Sequence, residues 1–139
     1  MSIKSIALAA TLVLAGAAPA LAHHSFAAQY DANKPVRLVG KLSKLEWTNP
    51  HSYFYLEVTG KDGKVSTWGC EGANPGALSR RGFKKGDIKI GDVLTVDGFL
   101  AKSGAKLIDA RRITLAGGRT IFGGSAGDGG PGDTAGAGT

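Results

Sequence analysis

Most of the chain after its first 35 residues alternates apolar and polar positions with a period of two, which is typical of half-buried β-strands. The segment 36–47 carries apolar residues at every second position over 36–42 and then changes phase to Leu45 and Trp47. An extra residue in a strand exchanges its two faces. The pattern therefore predicts one long strand with a kink or bulge near Ser43.

Four further strands and one short helix are predicted downstream. Between the third and fourth strands, Asn74 suits the N-cap of a helix, Pro75 its first position, and Gly82 its end. A short apolar segment at 119–124 adds an edge strand or a cap. The four strand segments are rich in branched and aromatic residues and are separated by turn residues: 52–58, 64–71, 93–101 and 106–116.

This order of elements predicts an all-β fold, a small five-stranded Greek-key barrel of the OB type with one short helix between strands 3 and 4. A long, bent first strand suits such a barrel because it can pair in both halves of the sheet. An open meander or a small sandwich is the alternative. We expect the barrel domain to span 36–124, after an N-terminal segment at 23–35, and the Gly-rich tail at 125–139 to be disordered.

Residues 1–22 predict a secretory signal peptide. Lys4 is the one charge in this segment, the apolar run at 6–14 is too short to span a bilayer, and the segment ends in Ala-Leu-Ala. We expect export, with cleavage after Ala22 or, alternatively, after Ala20. We expect no membrane span after cleavage.

Charge and cysteine content narrow the function classes only slightly. The formal net charge of +6 comes from scattered Lys and Arg residues, with small clusters at 80–81, 84–85 and 111–112. Such a balance supports at most a weak attraction to anionic surfaces. Cys70 is the single cysteine, so no intramolecular disulfide can form, and an unpaired thiol of this kind is usually a small buried hydrophobe.

Two of the three histidines, His23 and His24, directly follow the predicted cleavage site. An N-terminal α-amine is partly deprotonated at neutral pH and can chelate an ion together with Nδ1 of His23. One further imidazole, from His24 or His51, completes a T-shaped three-nitrogen site that favours Cu(II). Cleavage after Ala20 instead places His23 third, in a square-planar Cu(II) or Ni(II) site. The alternative is a solvated, disordered terminus without a metal.

His51 follows Pro50 at the predicted barrel rim, where OB domains place their ligands. Proline restricts the local backbone, so the position of the imidazole is well defined. If the N-terminal segment folds back across the rim, the three histidines converge. Glu71 then lies near as an acceptor for an imidazole N–H, which fixes the tautomer. The alternative is that His51 caps the turn by bonding a backbone carbonyl.

A binding module without a metal is the second hypothesis. Most aromatic residues on the alternating strands should be core, but Trp68 together with Arg80 and Arg81 could hold a partner protein or a glycan. The two arginines also suit the C-terminal end of a helix with no binding role. We expect no nucleic-acid ligand for an exported protein.

Enzymatic activity is not expected. The sequence contains no G-x-S-x-G, H-E-x-x-H or Walker motif. An oxidative copper enzyme would need the same N-terminal site, an open coordination position and a surface for substrate.

Four stretches resemble a family of small exported bacterial proteins, mostly proteobacterial, catalogued as a domain of unknown function: "AHHSFAAQYD", "EWTNPHSYFYLEV", "TWGCEGANPGALSRRGF" and "IKIGDVLTVDGFLAKSGAKLIDARRITLAGGRTIF". The resemblance extends to about Gly124 and implies a periplasmic location and a single small β-rich domain, without an established activity. Cys70 departs from the pattern, where an apolar residue is more usual. The matching positions are His23, His24, Trp47, Asn49, Pro50, His51, Trp68, Glu71, Arg80 and Arg81.

The sequence thus gives a first hypothesis of a periplasmic barrel that binds copper through His23, His24 and His51. The second hypothesis is a periplasmic binding or scaffolding module for a partner protein or glycan.

Overall fold

Six β-strands and two short α-helices make up residues 25–133, the part of the chain that the computed structural model describes. The predicted signal peptide, His23 and His24 lie outside these residues, as do residues 134–139. None of the helices in the described part is long and apolar enough to cross a membrane. The elements are α1 (Phe26–Gln29), β1 (Tyr30–Glu46), β2 (Ser52–Thr59), β3 (Val65–Gly72), α2 (Pro75–Arg80), a 3₁₀ helix (Lys85–Asp87), β4 (Val93–Ala101), β5 (Leu107–Thr114) and β6 (Thr120–Phe122).

The first five strands close into a ring. They are hydrogen-bonded in the order β3-β2-β1-β4-β5, and β3 pairs in parallel with β5, which joins the two ends. The other strand pairings are antiparallel, and β6 extends the sheet beyond β5. This confirms the predicted five-stranded OB-like barrel, with α2 as the short helix between β3 and β4.

The first strand is long and bulged, as predicted. Its first half pairs with β4 and its second half with β2, and the register with β2 shifts between Leu42 and Lys44. Ser43 is the extra residue, and its hydroxyl donates to the carbonyl oxygen of Tyr55 at 3.1 Å. Leu42 is buried and Leu45 packs against the same core, so the apolar face is kept across the phase change. The bulge lets one strand serve both halves of the barrel.

The ends of α2 and the burial of Cys70 agree with the predictions. The N-cap Asn74 accepts a hydrogen bond from the Ala77 amide at 2.8 Å, and Gly82 follows α2 with φ +82°, both in agreement with the prediction. Cys70 is fully buried, and desolvation raises the pKa of its thiol to about 12, as suits a small hydrophobe. The largest fully buried apolar side chains are Phe54, Phe83, Leu42, Leu56, Leu78, Leu94, Ile108 and Ile113.

The N-terminal segment differs from the prediction, because β1 begins at Tyr30 rather than at residue 36. Phe26 on α1 and Tyr30 are both buried and pack with Ala101 in a second apolar cluster. Their spacing of four residues follows one turn of helix and so escapes a search for alternation. The segment is therefore part of the packed domain.

Residues 125–133 also differ from the disordered tail predicted at 125–139, of which 134–139 lie outside the described part of the chain. Residues 123–133, here called the C-terminal strap, make turns and hydrogen bonds against the barrel. A Cβ at Gly124 or Gly130 would overlap the guanidinium of Arg111. The glycines that argued for disorder thus allow the strap to lie directly on this side chain.

We predict that Gly98→Ala strongly destabilises the barrel. Gly98 lies on β4 at the register shift with β5, and a Cβ there would overlap the backbone carbonyl of Asp109. Overpacking of this kind costs about 1–3 kcal/mol or more of the free energy of unfolding, measurable by urea denaturation. The matched control is Gly117→Ala, because no atom lies within 4 Å of a Cβ at that position. Equal stability of the two variants would contradict the prediction.

Candidate functional site

The candidate site lies at the end of the barrel where β2 begins and β3 ends. These two strands are antiparallel neighbours, and Tyr53 is paired with Glu71. His51 immediately precedes β2 and follows a cis Asn49–Pro50 peptide bond. The topology therefore brings the predicted histidine and the predicted carboxylate to one edge of the barrel.

The imidazole of His51 is held through one nitrogen. Its Nδ1 lies 3.2 Å from the hydroxyl of Ser125 on the strap and 3.5 Å from Oε1 of Glu71. Its Nε2 has no hydrogen-bond partner among residues 25–133. The turn itself is closed by Thr48, whose hydroxyl donates to the His51 carbonyl at 3.3 Å. With a side chain 30% exposed, His51 can still meet a ligand from outside the barrel.

Two tyrosines fix the carboxylate of Glu71. The hydroxyls of Tyr30 and Tyr53 both donate to Oε2, at 2.5 Å and 3.1 Å, while Oε1 faces His51. Burial, reinforced by the charge of Glu71, raises the pKa of both phenols. Both groups therefore remain protonated donors at neutral pH, and the carboxylate keeps one orientation.

Beneath this group lies a buried arginine shared by two aspartates. Nη2 of Arg111 is 2.8 Å from Oδ2 of Asp109 and 2.9 Å from Oδ2 of Asp128. The guanidinium carbon lies 4.8 Å from the centre of the Phe26 ring and 5.9 Å from that of Phe122. The Phe26 amide donates to the carbonyl of Asp128 at 2.9 Å. This arginine thus joins α1, β5 and the strap.

A cavity of about 20 Å³ lies where these groups meet, which is enough space for one water molecule. Its lining shows that α1, the strap and the rim of β2 and β3 surround the same point. The lining residues are Phe26, Gln29, Tyr30, His51, Glu71, Asp109, Ser125 and Asp128.

The described residues do not form a complete metal site by themselves. Within 25–133, no group of three or more His, Cys, Asp and Glu side chains is placed to hold a metal ion. His51 and Glu71 are brought together, whereas the other two predicted ligands, His23 and His24, lie outside the described residues.

The three residues of the second hypothesis, Trp68, Arg80 and Arg81, have different surroundings. Trp68 is half-buried and packs against the core, and Arg80 is exposed. Arg81 donates to the carbonyls of Phe122 and Gly124 at 3.1 Å and 2.7 Å. Arg81 therefore supports the strap, and Arg80 is the exposed member of the three.

Sequence reasoning missed the residues that surround His51 and Glu71. Asp109 and Arg111 are two positions apart on β5, so they face the same side of the strand, and this spacing was a usable signal. Ser125 and Asp128 sit in a Gly-rich stretch that carries no comparable signal.

The fold and the site define a small OB-like barrel with a polar cluster at one rim. The model of a family described as "Family of unknown function (DUF6152)" matches residues 10–108, and the chain belongs to that family. Comparison with curated proteins and with solved structures gave no match. The matched range includes both His51 and Glu71 but ends before Arg111 and the strap.

We predict that ionisation of Asp109 lowers stability as the pH rises. Burial raises the pKa of its carboxyl from 3.8 to about 7, with the charges of Asp128 and Glu71 adding to it and Arg111 opposing it. The folded state therefore holds this proton more tightly than the unfolded state, so its contribution to the free energy of unfolding falls between about pH 4 and pH 7.

Asp109→Asn provides the test, because it removes this titration and keeps an acceptor for Arg111. The stability of the wild type minus that of the variant should fall by about 1–3 kcal/mol from about pH 5 to about pH 8 in urea denaturation, at about 1.4 kcal/mol per pKa unit. A difference that stays constant or grows over this range would be inconsistent with a raised pKa.

Proposed function

We propose that this protein is exported to the periplasm and binds copper there through its mature N-terminus and His51. His23 contributes its α-amine and Nδ1, and His24 or His51 contributes a further imidazole. The observation that carries the proposal is the set of contacts made by the two ring nitrogens of His51. Its Nδ1 is engaged next to Glu71 and Ser125, and its Nε2 is without a partner among residues 25–133.

The contacts of Nδ1 favour the tautomer that a metal ligand needs. When Nδ1 carries the proton and faces a carboxylate or hydroxyl, Nε2 carries the lone pair. Metal-binding histidines in proteins commonly have their second nitrogen bonded to a carboxylate, a backbone carbonyl or a water. In this protein Nδ1 lies 3.2 Å from Ser125 Oγ, and the Glu71 carboxylate is 3.5 Å away. Glu71 is in turn oriented by two tyrosine hydroxyls, so the negative charge that faces Nδ1 has a defined position.

The position of Phe26 supports a site that includes the N-terminal histidines. Phe26 is buried, its amide is bonded to Asp128, and it lines the same cavity as His51. His24 is two residues before Phe26, and two extended residues span at most about 7 Å. This short link to a buried residue supports the proposal that His24 can approach the rim that carries His51.

The available donors favour copper over softer or harder ions. An amine with two imidazoles is a nitrogen set, and Cu(II) stands at the top of the divalent affinity order for such ligands. The thiol of Cys70 is fully buried and held protonated, so it supplies no soft ligand. The proposed role is binding or delivery of the ion, because oxidative chemistry would also require an open coordination position and a bound substrate.

The test uses protein exported to the periplasm, with the N-terminus identified by intact mass. Cu(II) affinity is measured by competition with a chelator for the wild type, His51→Ala and His23→Ala. A fourth protein carries one glycine before His23, which keeps the three imidazoles and displaces the amine. We expect each change to weaken binding by about tenfold or more, in line with the loss of one ligand. Unchanged affinity in His51→Ala and in the extended protein would overturn the proposal.

We further predict that Glu71→Gln weakens Cu(II) binding by about tenfold. Loss of a side chain that orients a ligand imidazole typically costs about 10–100-fold. The lower value is expected because Oε1 of Glu71 lies 3.5 Å from Nδ1, beyond a close hydrogen bond. Glu46→Gln is the matched control. Glu46 accepts hydrogen bonds from Tyr55 and Lys44 and has no contact with His51. The same loss in both variants would mean that the effect is not exerted through His51.

A further inference from the structure

A second concave surface lies apart from the His51 cavity, between the first part of β1, the middle of β4 and β5, and β6. This groove has a volume of about 770 Å³, within the range of small-molecule sites. Four apolar rings stand on its walls and two arginines at its edge. The residues that define it, here called the ring groove, are Pro35, Phe99, Phe122, Pro131, Arg37 and Arg112.

The charges that line the ring groove do not cancel. Arg37 forms a two-pronged pair with Asp97, with Nε 2.6 Å from Oδ1 and Nη2 3.2 Å from Oδ2. Arg112 is exposed, and within residues 25–133 it has no hydrogen bond or ion pair. Asp97 is the cross-strand neighbour of both arginines but pairs only with Arg37, so the three side chains leave one positive charge uncompensated.

Arg111, the third arginine of the lining, has unused donors. The Arg111 side chain is only 8% exposed, and its Nε and Nη1 find no hydrogen-bond partner in the described part of the chain. Buried donors without an acceptor raise the free energy of the folded state. An acceptor brought into the groove that reaches these N–H groups would lower it.

Phe99 and Phe122 determine which kind of group in a ligand can lie beside its hydrogen-bond acceptor. Both rings are only partly buried, and the floor between the strands includes Gly98, which has no side chain. Apolar walls of this kind favour an apolar ligand body. A planar guanidinium favours a carboxylate, which it can bind through two parallel hydrogen bonds.

We propose that the ring groove binds a small amphiphile, a molecule with one carboxylate bonded by Arg112 and an apolar body against Phe99 and Phe122. The uncompensated positive charge favours one anionic group in the ligand. The apolar remainder of the lining favours a hydrocarbon body. This ligand site uses none of the residues of the proposed copper site.

The test uses the full mature protein and two fluorescent probes that share an apolar ring system. 8-Anilinonaphthalene-1-sulfonate (ANS) carries one anionic group, and N-phenyl-1-naphthylamine carries none. We expect saturable binding of both probes to the wild type. Arg112→Gln should weaken the anionic probe by about tenfold and leave the neutral probe nearly unchanged. The control, Lys61→Gln, removes an exposed cation outside the groove and should change neither.

A groove-filling variant tests the location. Thr120 lines the groove on the edge strand β6 and is exposed, so Thr120→Trp can fill the space without disturbing the core. It should weaken both probes by about tenfold while the circular dichroism spectrum is unchanged. Decanoate should displace the bound ANS, and decanol should do so much less effectively.

Several results would each overturn the proposal. They are the absence of saturable ANS binding to the wild type, an unchanged ANS affinity in Arg112→Gln, and unchanged affinities for both probes in folded Thr120→Trp. Failure of decanoate to displace ANS would likewise exclude a carboxylate ligand.

Discussion

The buried guanidinium of Arg111 holds together the parts of the molecule on which the candidate site depends. It bonds Asp109 of its own strand and Asp128 of the strap, and the Phe26 ring lies over it. A buried charge is tolerated when opposite charges and hydrogen bonds accompany it, and removing one partner is costly. Both ends of the described chain are therefore fastened to the barrel at the same point.

The contacts of Arg111 also affect the rim of the barrel that carries His51. Fixing the strap brings Ser125 to the imidazole of His51, and fixing α1 brings Tyr30 to the carboxylate of Glu71. The histidine is thus oriented by three separate segments: the strap, β3 and the turn that precedes β2. Such convergence suits a side chain whose free nitrogen must be presented to a ligand in a fixed direction. The buried ion pairs of Arg111 thus support the exposed rim that carries His51.

Local sequence signals were sufficient to predict the barrel fold. The bulge at Ser43 was readable because an extra residue moves every following side chain to the other face, and Asn74 and Gly82 have the chemistry of helix ends. The approach of His51 to Glu71 followed from the barrel topology. These features depend on neighbours along the chain or on strand pairing.

The remaining features depend on contacts that composition does not reveal. The strap was expected to be disordered because it is rich in glycine, yet Gly124 and Gly130 are needed so that the backbone can lie on Arg111. Tyr30 was assigned to an irregular segment because its partner, Phe26, is one helical turn away rather than two residues away. The first error arises from a side chain, Arg111, that is distant in sequence and close in space, and the second from a spacing of one helical turn in place of alternation.

The central claim, that Arg111 fastens the N-terminal segment and the strap to the barrel, is tested most directly by amide hydrogen exchange in Arg111→Met. The Phe26 amide is bonded to Asp128, and the Leu42 amide, bonded to Asp92 at 2.8 Å, serves as the reference within the barrel. We predict that the Phe26 amide loses protection by about tenfold or more while that of Leu42 is retained, as expected for local opening. Protection of Phe26 equal to that in the wild type, or an equal loss at both amides, would contradict the account.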